Sequence, residues 1–169
     1  MAGHIKLHGL GDSDNHSSCT VAELNALISD GTFGGGLYDI EYLTGGYTLT
    51  TLWANVGNNM SITAPASGTY KVTANVCMNI FGDTIEIAGG AIRFHNGTSI
   101  KGSAVMRSDI DPVNTDWNTT IRVNVALVDI FTCTSGETIN LQAYKFDSTS
   151  TVSIYQNSAA IGSIMMEKI

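Results

Sequence analysis

Between Ser67 and Ile80 the chain alternates strictly. Tyr70, Val72, Ala74, Val76, Met78 and Ile80 take one parity, while Lys71, Thr73, Asn75 and Asn79 take the other, with Cys77 as the odd member. A period of two sustained this long specifies a strand buried on one face only, because successive side chains of a pleated backbone point to opposite sides. A one-sided strand of this length is a wall of an antiparallel sandwich or barrel.

The rest of the chain supports that reading. Charged residues make up only 14 % of the 169 residues, below the roughly 25 % usual in soluble domains. The polar surface is therefore built from Thr, Ser, Asn and Gly, and β-branched Thr suits the exposed side of a strand. From about Leu37 onward, strand patterns recur between Gly, Asn and Ser turns. Thr48 to Val56, Met60 to Ala64, Ile85 to Phe94, Thr98 to Met106, Thr119 to Leu127, Thr138 to Phe146, Val152 to Tyr155 and Ile161 to Ile169 all read as strands. Asn96-Gly97 is the strongest hairpin dipeptide. The parity of apolar residues switches at Gly89-Gly90, which predicts a bulge or bend there. Eight to ten such strands predict an all-β, two-sheet antiparallel jelly-roll sandwich.

The first forty residues differ. Thr20 with Glu23 forms a capping box and Asp30-Gly31 a stop, which predicts one short helix over about 20–30. Val21, Leu24, Leu27 and Ile28 form its apolar stripe. A helix this short needs a surface to lie on, so these four residues are the candidate anchoring residues. Gly34-Gly35-Gly36 reads as a hinge. The expected organisation is an N-terminal anchoring arm over 1–43 and a jelly-roll domain over 44–169.

The net charge of −7 argues against nucleic acid and anionic membranes as partners, since both select for a basic surface. No apolar run approaches the about 20 residues of a membrane span, and Met1 to Lys6 lacks the apolar core of a signal peptide. Synthesis in a cytoplasm without secretion is the expectation. Cys19, Cys77 and Cys133 have neither metal-ligand nor paired-disulfide spacing and read as free thiols.

No catalytic pattern stands out. The chain has no G-x-S-x-G and no phosphate-cradling glycine loop. His4 and His8 lie among glycines and read as polar residues of an arm, and Asp12-x-Asp14-x-His16 lacks the central Gly and distal Glu of a calcium loop. His95 reads as a turn-edge residue, and Trp53 and Trp117 as core or interface anchors. The expectation is a protein without enzymatic activity.

Several segments together resemble one family. Ala64-Pro65-Ala66-Ser67-Gly68-Thr69-Tyr70 is similar to the P-x-x-G-x-Y start of the second long strand in TNF-like and complement-type jelly rolls. Phe94-His95-Asn96-Gly97 resembles their hairpin, and Asp129 to Leu141 resembles their turn with an acidic residue, although Glu137 stands where Asp is common. Ala160 to Met166 resembles their last core strand. The similarity spans residues 46–169.

The resemblance implies a homotrimer. It also makes calcium the one cofactor to consider, because some complement-type trimers hold it near the apex. Asp109, Asp111 and Asp116 in the Ser108–Asn118 loop are the candidate ligands; apart from calcium no cofactor is expected. Similar domains occur in bacteriophage particles as capsid decoration (cement) trimers, head fibres and fibre tips. The implied function is a decoration protein on the outer capsid surface of the virion, docked on the major capsid protein through its arm. The alternative is a knob that reads a host-surface glycan or receptor. A secreted complement-like module would be expected to carry a signal peptide or stalk.

Overall fold

A computed structural model describes residues 4–6, 18–20, 38–57, 59–82, 88–110, 119–146, 148–157 and 161–169. The chain divides into two units, residues 1–37 and 38–169. In the first unit, β1 (His4–Lys6) and β2 (Ser18–Thr20) pair antiparallel, His4 opposite Thr20 and Ile5 opposite Cys19. The helix expected over about 20–30, its stripe Val21, Leu24, Leu27 and Ile28, and the Gly34–Gly36 hinge lie outside the described residues.

The second unit runs through β3 (Tyr38–Tyr42), β4 (Tyr47–Thr48), β5 (Ala54–Asn55), β6 (Ser61–Thr63), β7 (Gly68–Gly82) and β8 (Ala88–His95). It continues through β9 (Ile100–Ile110), β10 (Thr119–Cys133), β11 (Thr138–Lys145), β12 (Thr151–Tyr155) and β13 (Ser163–Lys168). These strands form the two antiparallel sheets that the alternation predicts. In the first sheet, β10 pairs with one edge of β7 along its whole length, Gly68 opposite Cys133 and Gly82 opposite Thr119. The other edge of β7 takes β13 and β12 end to end, with Asn75 opposite Ser163 and Cys77 opposite Tyr155. β3 and β4 then flank β13 and β12. In the second sheet, β11 lies between β8 and the short pair β5 and β6, and β9 borders β8.

Two expectations need correction. β3 pairs with β13, so residues 38–42 belong to the sandwich and not to the arm. The Gly89-Gly90 bulge is absent, because Gly89 and Gly90 stay in regular register with Asp109 and Ser108. The register shifts instead between Arg93 and Phe94, where Phe94 faces Lys101 and Arg93 faces Val105. Gly102, at φ +71°, supplies the left-handed residue this needs. Glycine is required at position 90 for another reason: a Cβ there would stand 2.7 Å from the Tyr144 carbonyl oxygen and 3.1 Å from Leu49. Gly90 is a place of close approach rather than a bend.

The core lies between the sheets. Tyr70, Val72, Ala74, Met78 and Ile80 of β7 are buried against Ile92 and Phe94 of β8 and Ile139, Leu141 and Ala143 of β11. The Phe94 and Phe131 rings meet at 5.9 Å. Tyr70 is fully buried, and its hydroxyl donates to the Ala66 carbonyl at 2.8 Å. That bond explains why the strand begins from a Pro-containing turn: the phenol finds its buried acceptor in the turn itself. Burial raises the Tyr70 pKa despite that bond.

Three loops interlock at one end. The Asn96 Oδ1 accepts from the backbone N–H of Thr98 and Ser99 at 3.0 and 2.7 Å, and Gly97 follows at φ +92°. The Asn96 side-chain amide donates to Glu137 Oε1 at 2.7 Å, and the Thr134 N–H donates to Glu137 Oε2 at 2.9 Å. The Ser135 N–H donates to Ser67 Oγ at 3.0 Å, and the Gly136 N–H to the Ala64 carbonyl at 2.8 Å. The hydrogen bonds from Asn96, Lys101 and the Thr134 backbone hold the Glu137 pKa at about 2.

Candidate functional site

A sandwich offers its two outward sheet faces for recognition, and the two here differ in chemistry. On the first sheet, register places side chains in rows across the strands. Ile40, Met165, Thr73 and Val128 are directly opposite one another in sequence β3, β13, β7, β10. The next row toward the chain ends of β7 and β13 holds Glu167, Lys71 and Ile130, and the row on the other side holds Tyr42, Ser163, Asn75 and Ala126. Val128, Ile130 and Tyr42 are 51 %, 54 % and 53 % exposed. The Lys71–Glu167 pair at 3.3 Å is itself exposed, and such pairs contribute little.

Farther along this face the rows turn polar. Tyr155, Cys77 and Asn124 form one, and Thr48, Ser153, Asn79 and Arg122 the next. Arg122 lies 4.3 Å above the Tyr155 ring. A cleft of about 540 Å³ opens here, lined by Asn75, Cys77, Arg122, Asn124, Ala126 and Ile161. Three side-chain oxygens, Thr73 Oγ1, Asn79 Oδ1 and Gln156 Oε1, are buried without a hydrogen-bond partner among the described residues. Thr73 and Asn79 both belong to the outward rows of β7. An unsatisfied buried acceptor costs about 1–3 kcal/mol, so this face is incomplete as an isolated surface.

The second sheet carries another arrangement. Asn55, Gln142 and Arg93 form one row across β5, β11 and β8. They are chained: Arg93 Nε donates to Gln142 Oε1 at 2.9 Å, and Gln142 Nε2 donates to Asn55 Oδ1 at 3.0 Å. Trp53 lies beside this row with the Arg93 guanidinium carbon 4.1 Å from its ring centroid. Tyr144 meets Trp53 at 4.3 Å, and Phe146 meets Tyr144 edge-on at 5.4 Å. Burial lowers the Arg93 pKa from its usual value. Of the two roles expected for Trp53, core or interface anchor, the core one is corrected: it is half-buried against Arg93 and Tyr144 and is not part of the core between the sheets. Its main contacts, Arg93 and Tyr144, are far away in sequence, which is why local pattern could not place it.

The sequence-derived metal candidates do not come together in what is described. Asp109 lies in β9 opposite Gly89, on a strand and not in a loop; Asp111 and Asp116, like Trp117, lie outside the described residues. Among the described residues no group of three or more His, Cys, Asp or Glu converges. His95 Nδ1 accepts from the Gly97 N–H at 2.9 Å, a turn-edge contact. Cys77 and Cys133 are free thiols and buried; burial, then the Glu137 carboxylate, push the Cys133 pKa up.

The strand order, four strand lines facing four, has a counterpart among solved structures. The structure of Eiger TNF from S. frugiperda superposes with a TM-score of 0.50 at 7 % sequence identity, covering 80 % of this chain and 93 % of that one. The chain has a TNF-like jelly-roll fold. No protein-family model and no curated protein sequence matches it. The TNF-like likeness concerns fold alone, and function has to be argued from the faces. Three of the four segments that resemble the TNF-like pattern are those that interlock around Glu137. Glu in place of the common Asp reaches both Asn96 and Lys101 here.

Proposed function

We propose that this chain is a non-enzymatic structural protein of a bacteriophage particle, a homotrimeric capsid decoration protein. Its TNF-like sandwich associates through the outward face of the β3–β13–β7–β10 sheet, and its N-terminal arm docks on the major capsid protein at the outer surface of the virion. The observation that carries the reading is that face. The row Ile40, Met165, Thr73 and Val128 runs beside exposed Ile130 and Tyr42 and includes a buried, unpartnered hydroxyl oxygen. Association removes the apolar surface of this row from water. The division into residues 1–37 and 38–169 supports an arm distinct from the knob. Stabilisation of the shell follows from binding alone, since a ligand of the assembled state favours that state by mass action.

Two measurements test this. Purified protein with and without residues 1–36 is mixed with undecorated capsids; attachment that survives the deletion overturns the docking assignment. Sedimentation at micromolar concentration should give a trimer, and a stable monomer sinks the assembly claim.

The second reading, a knob that binds host-surface glycan, is favoured by one observation. The chained Asn55, Gln142 and Arg93 lie beside Trp53 and Tyr144 on the other sheet, clear of the proposed assembly face.

A further inference from the structure

Arg93 is held more firmly than a surface arginine needs to be. Its guanidinium stacks 4.1 Å from the Trp53 centroid, and its Nε is committed to Gln142 Oε1. A guanidinium carries five N–H donors in a planar fork, so four remain after the Gln142 bond. No carboxylate pairs with Arg93 among the described residues; the two ion pairs there are Lys71–Glu167 and Lys101–Glu137. In a chain of net charge −7, a fixed cation that meets no carboxylate among the described residues is uncommon. Its remaining donors suit a planar carboxylate, because a stacked guanidinium loses little further freedom when it takes a bidentate partner.

The neighbours narrow the ligand. Gln142 is only 9 % exposed and spends one donor on Asn55 Oδ1, which fixes the Asn55 amide with its nitrogen as the outer end of the chain. Asn55 is exposed, so its NH₂ group offers two donors to hydroxyl or carbonyl oxygens. The Trp53 and Tyr144 rings stand beside this row, and each is partly exposed, so the open parts of the pair offer apolar surface to the C–H groups of a pyranose. A ligand that uses all three parts carries a carboxylate, several hydroxyls and an apolar ring face.

The geometry points to a binding site for an acidic saccharide at Arg93, Asn55, Trp53 and Tyr144, with the sugar carboxylate on the Arg93 fork and the ring against the aromatic pair. This deepens the glycan-binding reading and is independent of capsid attachment. It lies on the sheet opposite the proposed assembly face, so the site is complete within one protomer and stays accessible when three associate.

The test uses the full chain, titrated at constant ionic strength with trigalacturonate, maltotriose and triglutamate, and followed by calorimetry and by the NMR signals of the Trp53 indole and the Asn55 and Gln142 amides. Trigalacturonate should bind saturably and shift those signals, about tenfold or more tighter than maltotriose, as a charge-assisted bidentate contact adds. Arg93→Gln should abolish the preference for the acidic sugar. Arg93→Lys, which keeps the charge and loses the fork, should bind trigalacturonate several-fold more weakly than the wild type; melting curves identify any variant that fails to fold, and the wild-type titration stands without it. Equal affinity for trigalacturonate and maltotriose overturns the acidic site but leaves a glycan knob intact. No binding of either sugar overturns both. Triglutamate binding as tightly as trigalacturonate at the same signals overturns the saccharide assignment in favour of an acidic peptide.

Discussion

The Lys101 ammonium stands 2.9 Å from Glu137 Oε1, although one residue belongs to β9 and the other to the turn between β10 and β11. Both side chains are largely sheltered, at 17 % and 13 % exposure, and Asn96 and Thr134 complete the coordination of the carboxylate. The Glu137 pKa is depressed to about 2 in the folded protein, against about 4.3 in an unfolded chain. Its contribution to stability is therefore fully present above pH ~4.3 and is lost as pH falls toward about 2. Glu137→Gln should cost about 1–3 kcal/mol at neutral pH and flatten the fall in stability over that acid window. Urea denaturation at a series of pH values checks both; an unchanged acid limb would show that the loops are held by something else.

Gly90 and Gly97 should respond differently to the same substitution. Gly90→Ala drives a Cβ into the Tyr144 carbonyl and Leu49, an overpacking that costs about 1–3 kcal/mol. Gly97→Ala meets no atom within 4 Å, and the cost comes only from its φ of +92°, about 1 kcal/mol. Thermal melts of the two variants should rank in that order.

Val128→Asp places a charge at the β10 end of the row shared by Ile40, Met165 and Thr73. Since Val128 is exposed in the protomer, the change should leave sandwich stability within about 0.5 kcal/mol. The same change should dissociate the proposed trimer, because an unpaired charge is costly in a buried interface. Sedimentation and denaturation read the two effects separately. A variant that melts early and stays assembled contradicts the assignment of this face.

Thiol chemistry gives an independent view of the same face. Cys77 borders the cleft between β7 and β10, whereas Cys133 is interior and its thiol is pushed toward the protonated form by burial. Iodoacetamide labelling, resolved by peptide mass, should be slow at both in the wild type. Cys77 should label faster in Val128→Asp, with Cys133 unchanged; equal rates at Cys77 in both proteins would place the contact elsewhere.

The sequence made the long walls legible and the joins between them illegible. The burial of Tyr70, Val72, Ala74, Met78 and Ile80 follows from alternation, because one face of β7 meets the core along its whole length. The Asn96-Gly97 turn was readable for the same reason: its chemistry is local, an Asn side chain bonding the two residues that follow Gly97. Gly89-Gly90 misled because a glycine required by a neighbour's carbonyl looks like one required by a bend. The break between β12 and β13 was legible as two separate strands, but that both take the same edge of β7 was not, since pairing partners far apart in sequence leave no local signature. The Arg93–Trp53 contact depends on β5 and β8 both flanking β11, a relationship of topology that no window along the chain contains.

The long ladder of β7 also has a consequence in time. Every strand that borders β7 comes later in the chain, the nearest contact in sequence being Gly82 with Thr119, and the remainder arriving with residues 151–155 and 163–168. This long wall is thus made well before any of the strands that hydrogen-bond to it exist. Non-local pairing of this kind folds slowly and leaves strand edges open to wrong partners. Assembly of this protein is a race between completing the chain and mispairing its first long strand, and slower synthesis through residues 83–118 should favour the losing outcome.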